Sequence, residues 1–188
     1  MVGAGAPLEP AVVWFTGLSG AGKSTIARAV CDRLLAAGAK VEYLDGDAIR
    51  SVFPQTGYSK PERDAHVRRV GFLASRLEHH GVFVVCALIS PYAESREYVR
   101  GLCRRFVEVY VSTPLDECER RDVKGLYRRA RLGEIANFTG VDQAYEPPAA
   151  PEVRIDTRDI SAPEAVDLVM TTLGLGKRFR AAARVTVQ

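Results

Sequence analysis

Five short apolar runs, at residues 11–16, 41–45, 82–87, 106–111 and 153–156, are separated by longer stretches of helical character. The run Val82-Phe-Val-Val-Cys-Ala-Leu-Ile89 is apolar at every position rather than at alternate ones. Continuous hydrophobicity of that kind marks a strand covered on both faces, as in a parallel sheet sandwiched between helices. After the first run, Ile26, Ala27, Val30 and Leu34 recur at the spacing of one helix face, which predicts a helix from about Lys23. Ser59-Lys-Pro-Glu62 and Ser161-Ala-Pro-Glu164 have capping-box form, and Thr113-Pro114 reads as an N-cap followed by proline at the first helical position. Strands and helices alternating in this way predict a three-layer α/β fold on a parallel five-stranded sheet.

Residues 122–148 break the alternation. A polar helical piece over 123–132 leads into Gly133-Glu-Ile-Ala-Asn-Phe-Thr-Gly140 and a proline-ended stretch, with no apolar strand. Segments this long are usually functional or disordered in a compact domain, and this one reads as a mobile helical lid that closes a site against water. Around it the chain divides into a flexible N-terminus over 1–10, one domain over 11–175 and a basic tail over 176–188.

The turn after the first run gives the fold its chemistry. Gly17, Leu18, Ser19, Gly20, Ala21, Gly22, Lys23 and Ser24 spell G-x-x-x-x-G-K-[ST] between a strand and a helix. Glycines let successive backbone N–H groups point at phosphate oxygens, while Lys23 adds charge and Ser24 offers a hydroxyl to Mg²⁺. The fold is therefore expected to be of P-loop NTPase type, binding ATP and Mg²⁺.

The second run ends in Leu44-Asp45-Gly46-Asp47, which puts two carboxylates at the carboxyl edge of the sheet, beside the phosphate loop. Phosphoryl transfer needs a metal on the phosphates and a carboxylate on the acceptor hydroxyl. Asp47 is the candidate acceptor base and Asp45 the candidate metal-water ligand or helper; the alternative is that Asp47 only caps a short helix over 48–52. Arg50, Arg63, Arg68 and Arg69 follow, and at least one pair is expected to meet anionic substrate groups, since guanidinium matches phosphate or sulfate oxygens bidentately. Ile89, Ser90, Pro91 and Tyr92 end the third run at the same edge, where Ser90 either contacts substrate or caps the next helix.

Bulk properties narrow the partners. With 188 residues, 47% of them hydrophobic, a single core suffices. A net charge of +3 with interspersed signs gives no case for a nucleic-acid partner. No apolar run reaches the roughly 18 residues of a membrane span, and residues 1–10 lack a secretory pattern, so no membrane partner and a cytoplasmic location are expected. Cys31, Cys86, Cys103 and Cys118 lack C-x-x-C spacing and read as buried free thiols.

Together these pieces resemble the adenylylsulfate kinase family over roughly residues 12–173. The motifs that carry the resemblance are the phosphate loop through Thr25, Leu44-Asp-Gly-Asp47 with Arg50, Gly57-Tyr-Ser59, Arg68-Arg-Val-Gly71, Ile89-Ser-Pro-Tyr92, Arg121-Asp-Val-Lys-Gly-Leu-Tyr127, Ala130-Arg-Leu-Gly-Glu-Ile135, Phe138-Thr-Gly140 and Tyr145-Glu-Pro147. The resemblance implies transfer of the ATP γ-phosphoryl group to the ribose 3′-hydroxyl of adenosine 5′-phosphosulfate. It implies that Thr25 and Arg121 join the ATP site, and that Arg50, Arg63 and the Ile89–Tyr92 turn hold the phosphosulfate and ribose. Tyr58 and Phe138 would clamp the acceptor adenine, Lys124 in the lid would join the anionic site on closure, Thr139 and Gly140 would belong to the substrate site, and Ser90 would stand at the family's phosphoserine position. A homodimer is implied, with room for association with a sulfate adenylyltransferase. The chain departs from the family pattern at Ala48, Ala65 and His66; His66 could donate to a phosphate or ribose oxygen, or add charge if protonated. A different small-molecule P-loop kinase would share the phosphate loop and acidic pair without needing the lid strings, and a non-catalytic nucleotide-binding protein would tolerate losing Asp47 or Ser24.

Overall fold

The computed structural model describes residues 8–53 and 57–176. Its strands β1 (Val12–Thr16), β2 (Val41–Asp45), β3 (Phe83–Ala87), β4 (Phe106–Val111) and β5 (Val153–Ile155) pair throughout in parallel, in the order β2-β3-β1-β4-β5. Helices α1 (Lys23–Ala36), α2 (Gly46–Val52), α3 (Lys60–His79), α4 (Ala93–Leu102), α5 (Leu115–Arg121), α6 (Leu126–Arg131) and α7 (Ala162–Thr172) connect or flank them. The five predicted strands are present, each within one residue of its expected ends.

The layers follow from the period-two alternation of a strand. Val13 and Phe15 of β1 face one way, into a core with Ile26, Ala27, Val30 and Leu34 of α1 and Val166, Val169 and Met170 of α7. Val12 and Trp14 face the other way, onto Val67, Val70 and Ala74 of α3 and Val99 of α4. Every residue of β1 and β3 is buried, as their unbroken hydrophobicity requires. Each such fully buried aliphatic or aromatic side chain contributes roughly 1.5–3 kcal/mol.

Parallel strands bring every carboxyl end to one edge. The phosphate loop follows β1, the acidic pair follows β2 and the Ser90 turn follows β3. Strand order reverses at β1, whose neighbours β3 and β4 are connected across it, and the crevice at such a switch point is where open α/β sheets take ligands.

Several local expectations change. The Asp-Gly-Asp helix is capped by Asp45, not Asp47: Asp45 Oδ1 accepts from the backbone N–H of Asp47 at 2.9 Å and of Ala48 at 3.2 Å. Pro114, not Thr113, occupies the N-cap of α5, because the Thr113 hydroxyl is drawn inward to the Ala21 carbonyl at 3.0 Å and to Thr157 Oγ1 at 2.8 Å. The polar helix of 123–132 shortens to α6. Asp122 and Gly125 both have left-handed φ, 27° and 65°, and the Asp122 carboxylate accepts from the Tyr127 and Arg128 N–H groups where the helix begins. The remainder of 122–148 is irregular, tied down by Phe138 packed edge-on to Tyr127 and by Glu146, whose N–H donates to the Pro91 carbonyl at 2.8 Å. All four cysteines are free, and Cys103 is only partly buried. Of the expected flexible N-terminus, residues 1–7 lie outside the described residues, while Leu8 packs against the core. All of the basic tail except Gly176 lies outside them too.

Candidate active site

Gly17 leaves β1 with φ 142°, and a Cβ there would stand 2.4 Å from the Val111 carbonyl oxygen of β4. Only glycine lets the loop turn against the sheet so closely. Gly20 and Gly22 are also left-handed, and α1 starts directly at Lys23, so the positive end of its dipole and its free N–H groups point into the loop. Lys23 Nζ lies inside that loop, donating to the carbonyls of Gly17 at 2.9 Å and Leu18 at 2.7 Å. Burial pushes its pKa down to about 8, against the opposing pull of Cys118, Asp47 and Asp45.

The loop opens onto a cavity of about 710 Å³. Ser19, Gly20, Gly22, Lys23, Ser24 and Thr25 line one side, Asp45, Asp47, Arg50, Tyr58, Arg63 and His66 the acceptor side, Ile89, Ser90 and Pro91 the floor, and Lys124 and Phe138 the lid. Asp47 lies opposite the lid, where Lys124 Nζ donates to its Oδ2 at 2.8 Å. Partial desolvation in the cleft opposes Asp47 ionisation, but Lys124, Arg50 and Lys23 outweigh it and hold the carboxyl below its ordinary range. Asp47 is thus an ionised, exposed carboxylate facing the phosphate loop.

The arginines divide as their positions on α2 and α3 dictate. Arg50 and Arg63 enter the cavity; Arg68 pairs with Glu94 at 3.2 Å and covers Tyr98, and Arg69 covers Phe53. Arg50 Nη1 donates to the Gly57 carbonyl at 2.6 Å, with its guanidinium 4.6 Å from the Tyr58 ring centroid. Arg63 Nε donates to the Tyr58 carbonyl at 2.8 Å and its Nη2 to the Asn137 carbonyl at 2.5 Å. The two guanidiniums therefore shape the Tyr58 loop, and Arg63 ties it to the lid.

His66 does not match its expected chemistry. Its Nε2 lies 3.0 Å from the Gly46 carbonyl, an acceptor, so this nitrogen carries the proton and spends it there. Burial, with the nearby Arg50 charge, lowers its pKa to about 4, which leaves the ring neutral at pH 7. It neither donates to a substrate oxygen nor adds charge. Ser90 is 2% exposed at a left-handed φ of 38°; its Oγ accepts from Trp14 Nε1 at 3.0 Å, and Tyr92, not Ser90, caps α4.

Gly17, Leu18, Ala21, Arg121, Tyr92, Thr139 and Gly140 lie outside the cavity lining. Arg121 reaches Thr157 Oγ1 at 2.7 Å beside Gly22, Tyr92 turns its hydroxyl to Gln143, and Thr139 is buried. A second cavity of about 550 Å³, under Leu18 and Tyr145, contains neither the acidic pair nor the loop lysine. Arg129 and Asn137 line the main cavity without having been singled out from the sequence. Nothing in the residue type of Asn137 signals its part, since it works through its carbonyl.

Ser24 and Asp45 offer oxygen donors only, the set a hard cation prefers, and Mg²⁺ takes few protein ligands beside phosphate oxygens and water. Asp45 Oδ2 accepts only the Tyr43 hydroxyl among the described hydrogen bonds, at 3.3 Å, and keeps lone pairs for a metal-bound water. The residues present fit the ion.

A model of the adenylylsulphate kinase family matches residues 9–156. An adenylyl-sulfate kinase of Picosynechococcus is 53% identical over 162 residues, covering 86% of this chain and 92% of that protein. The solved structure of the Mycobacterium tuberculosis APS kinase CysC in complex with AMPPNP and APS superposes with a TM-score of 0.85 at 41% identity, covering 89% of this chain and 99% of that one. A hexameric APS kinase from Thiobacillus denitrificans superposes with a TM-score of 0.67 at 35% identity, covering 89% of this chain and 29% of that one. The chain belongs to the adenylylsulphate kinase family.

Proposed function

We propose that this chain transfers the γ-phosphoryl group of ATP to the 3′-hydroxyl of adenosine 5′-phosphosulfate, yielding ADP and 3′-phosphoadenosine 5′-phosphosulfate. The observation that carries the reading is a single cavity in which the Lys23–Ser24 loop faces an ionised Asp47, with Arg50 and Arg63 behind it. The loop N–H groups and Lys23 bind the phosphates and neutralise charge as the transferring group comes loose. Mg²⁺, when bound, neutralises further phosphate charge, and Ser24 and Asp45 are the residues that would hold it. Asp47 orients the 3′-hydroxyl and takes its proton as the new O–P bond forms and ADP departs. Lys124 keeps Asp47 ionised, the state a base requires. Arg50 and Arg63 supply the positive field for the phosphosulfate, and Tyr58 and Phe138 provide flat faces for the adenine. Ser90 holds the turn through Trp14; among the described hydrogen bonds its buried hydroxyl meets the Trp14 indole and no base, so no phosphoryl group is routed through it.

The same reading makes the protein a cytoplasmic homodimer, with association with a sulfate adenylyltransferase as a further partner; no described helix is long and apolar enough to cross a membrane. ADP release from ATP and Mg²⁺ tests the reaction, with adenosine 5′-phosphosulfate compared against AMP, ADP, nucleosides and sugar acids. Turnover with the phosphosulfate far above the rest is expected. Preference for another acceptor would overturn the assignment.

A further inference from the structure

Tyr43 precedes Asp45 by two residues on β2, so the two side chains leave the strand on the same face. Its hydroxyl donates to Asp45 Oδ2 at 3.3 Å. Across from it, Ser24 and Arg28 lie four residues apart on α1 and hence on one helix face. The Arg28 guanidinium covers the Tyr43 ring at 4.7 Å from its centroid, and the Ser24 hydroxyl lies beside the same phenol. Tyr43 therefore stands between the two residues that would hold Mg²⁺, with its ring held from above by a stacked cation.

The Asp45 carboxylate has two oxygens with different work. Oδ1 is committed to the first two N–H groups of α2. That bond pair fixes one oxygen but leaves the carboxylate plane free to rock about it, and the Tyr43 hydroxyl supplies the third point that fixes Oδ2. We propose that Tyr43 is a positioning residue for the magnesium site, holding Asp45 Oδ2 toward the metal-bound water while Ser24 approaches the ion from α1. The proposal rests on the reading of Asp45 as the carboxylate that holds this water. Packing of an edge-strand tyrosine would account for the ring, but not for the hydroxyl aimed at the oxygen that the helix cap leaves over.

Tyr43→Phe keeps the ring and its Arg28 contact and removes only the hydroxyl. The test is calorimetric affinity for the β,γ-imido analogue of ATP, with and without Mg²⁺, for the wild type, Tyr43→Phe and Asp45→Asn, alongside kcat as a function of Mg²⁺. For Tyr43→Phe, the gain in affinity produced by Mg²⁺ should shrink about three- to tenfold, the size of one ordinary hydrogen bond and no more than a 3.3 Å contact warrants, with metal-free affinity and melting temperature unchanged. The Mg²⁺ concentration for half-maximal kcat should rise in step, and Asp45→Asn should lose more of both. A Tyr43→Phe protein with the full Mg²⁺ gain, beside an Asp45→Asn protein without it, would overturn the role of Tyr43 alone. A full gain in both variants would overturn the reading of Asp45 as well. Equal weakening with and without metal would reduce Tyr43 to a packing residue.

Discussion

Burial holds the Lys23 ammonium at a pKa of about 8, well below that of a lysine in water. Phosphate oxygens beside it favour the charged form, so nucleotide binding must raise that value. Affinity for ATP should then be level below about pH 8 and fall as pH rises above it, with proton uptake on binding in that range. Calorimetry at pH 8.5 in buffers of different ionisation enthalpy reads this directly, and binding without proton uptake would contradict the burial argument. Lys23→Ala and Asp47→Ala should each lower kcat on the order of a hundredfold or more with the fold intact; near wild-type turnover of Asp47→Ala would remove it from the base role. His66 titrates in the opposite setting. Its folded pKa of about 4 lies below the ordinary 6.5, so the unfolded chain binds more protons between these values. Stability is therefore complete above about pH 6.5 and declines as pH falls toward 4, by on the order of 2–3 kcal/mol. Urea unfolding across that range should show the decline, and His66→Gln should flatten it.

Helices α3 and α4 approach each other through Gly71, where an added Cβ would lie 2.3 Å from Val99 Cγ2. Gly71→Ala gains helix propensity but overpacks this contact, and a net loss of about 1–3 kcal/mol is expected. Adding Val99→Ala should relieve the clash, so that the double variant is more stable than the sum of the two single losses implies. Additive losses would show that the helices can shift apart freely. Most of these elements were legible in the sequence. β1 and β3 announce themselves because strands buried on both faces have no polar positions, and Glu62 and Glu164 close the predicted capping boxes by accepting from the N–H groups of Ser59 and Ser161. What was not legible depends on partners distant in sequence. In Asp45-Gly-Asp47 either carboxylate could turn back on the helix; Asp45 does so from the N-cap, while Asp47, already inside α2, is turned to Lys124 of the lid. Thr113 has the chemistry of an N-cap but is claimed by the phosphate loop at Ala21 and by Thr157 in the turn after β5. Arg63 could be placed near the acceptor side from its position on the helix after Ser59, yet its bond to the lid backbone at Asn137 leaves no trace in residue type.

At the scale of the whole molecule, the parallel sheet gathers the phosphate loop, acidic pair and Ser90 turn at one edge, and residues 122–148 close over them. Arg96 locks this closure: buried beneath the turn, it donates to Glu108 Oε1, the Ser90 carbonyl and the Glu146 carbonyl, each at 2.8 Å. It binds the sheet, the acceptor turn and the root of the lid into one unit, which is why the acceptor side comes ready-shaped around Asp47. On the proposed reading, this shape directs phosphoryl transfer to one hydroxyl of adenosine 5′-phosphosulfate. Phosphorus–proton correlation NMR of the product from ATP, Mg²⁺ and the phosphosulfate reads the site of transfer. A new phosphomonoester coupled to the ribose H3′, with the phosphosulfate intact, is expected. A phosphate on another position, or ADP formed without a phosphorylated acceptor, would contradict it.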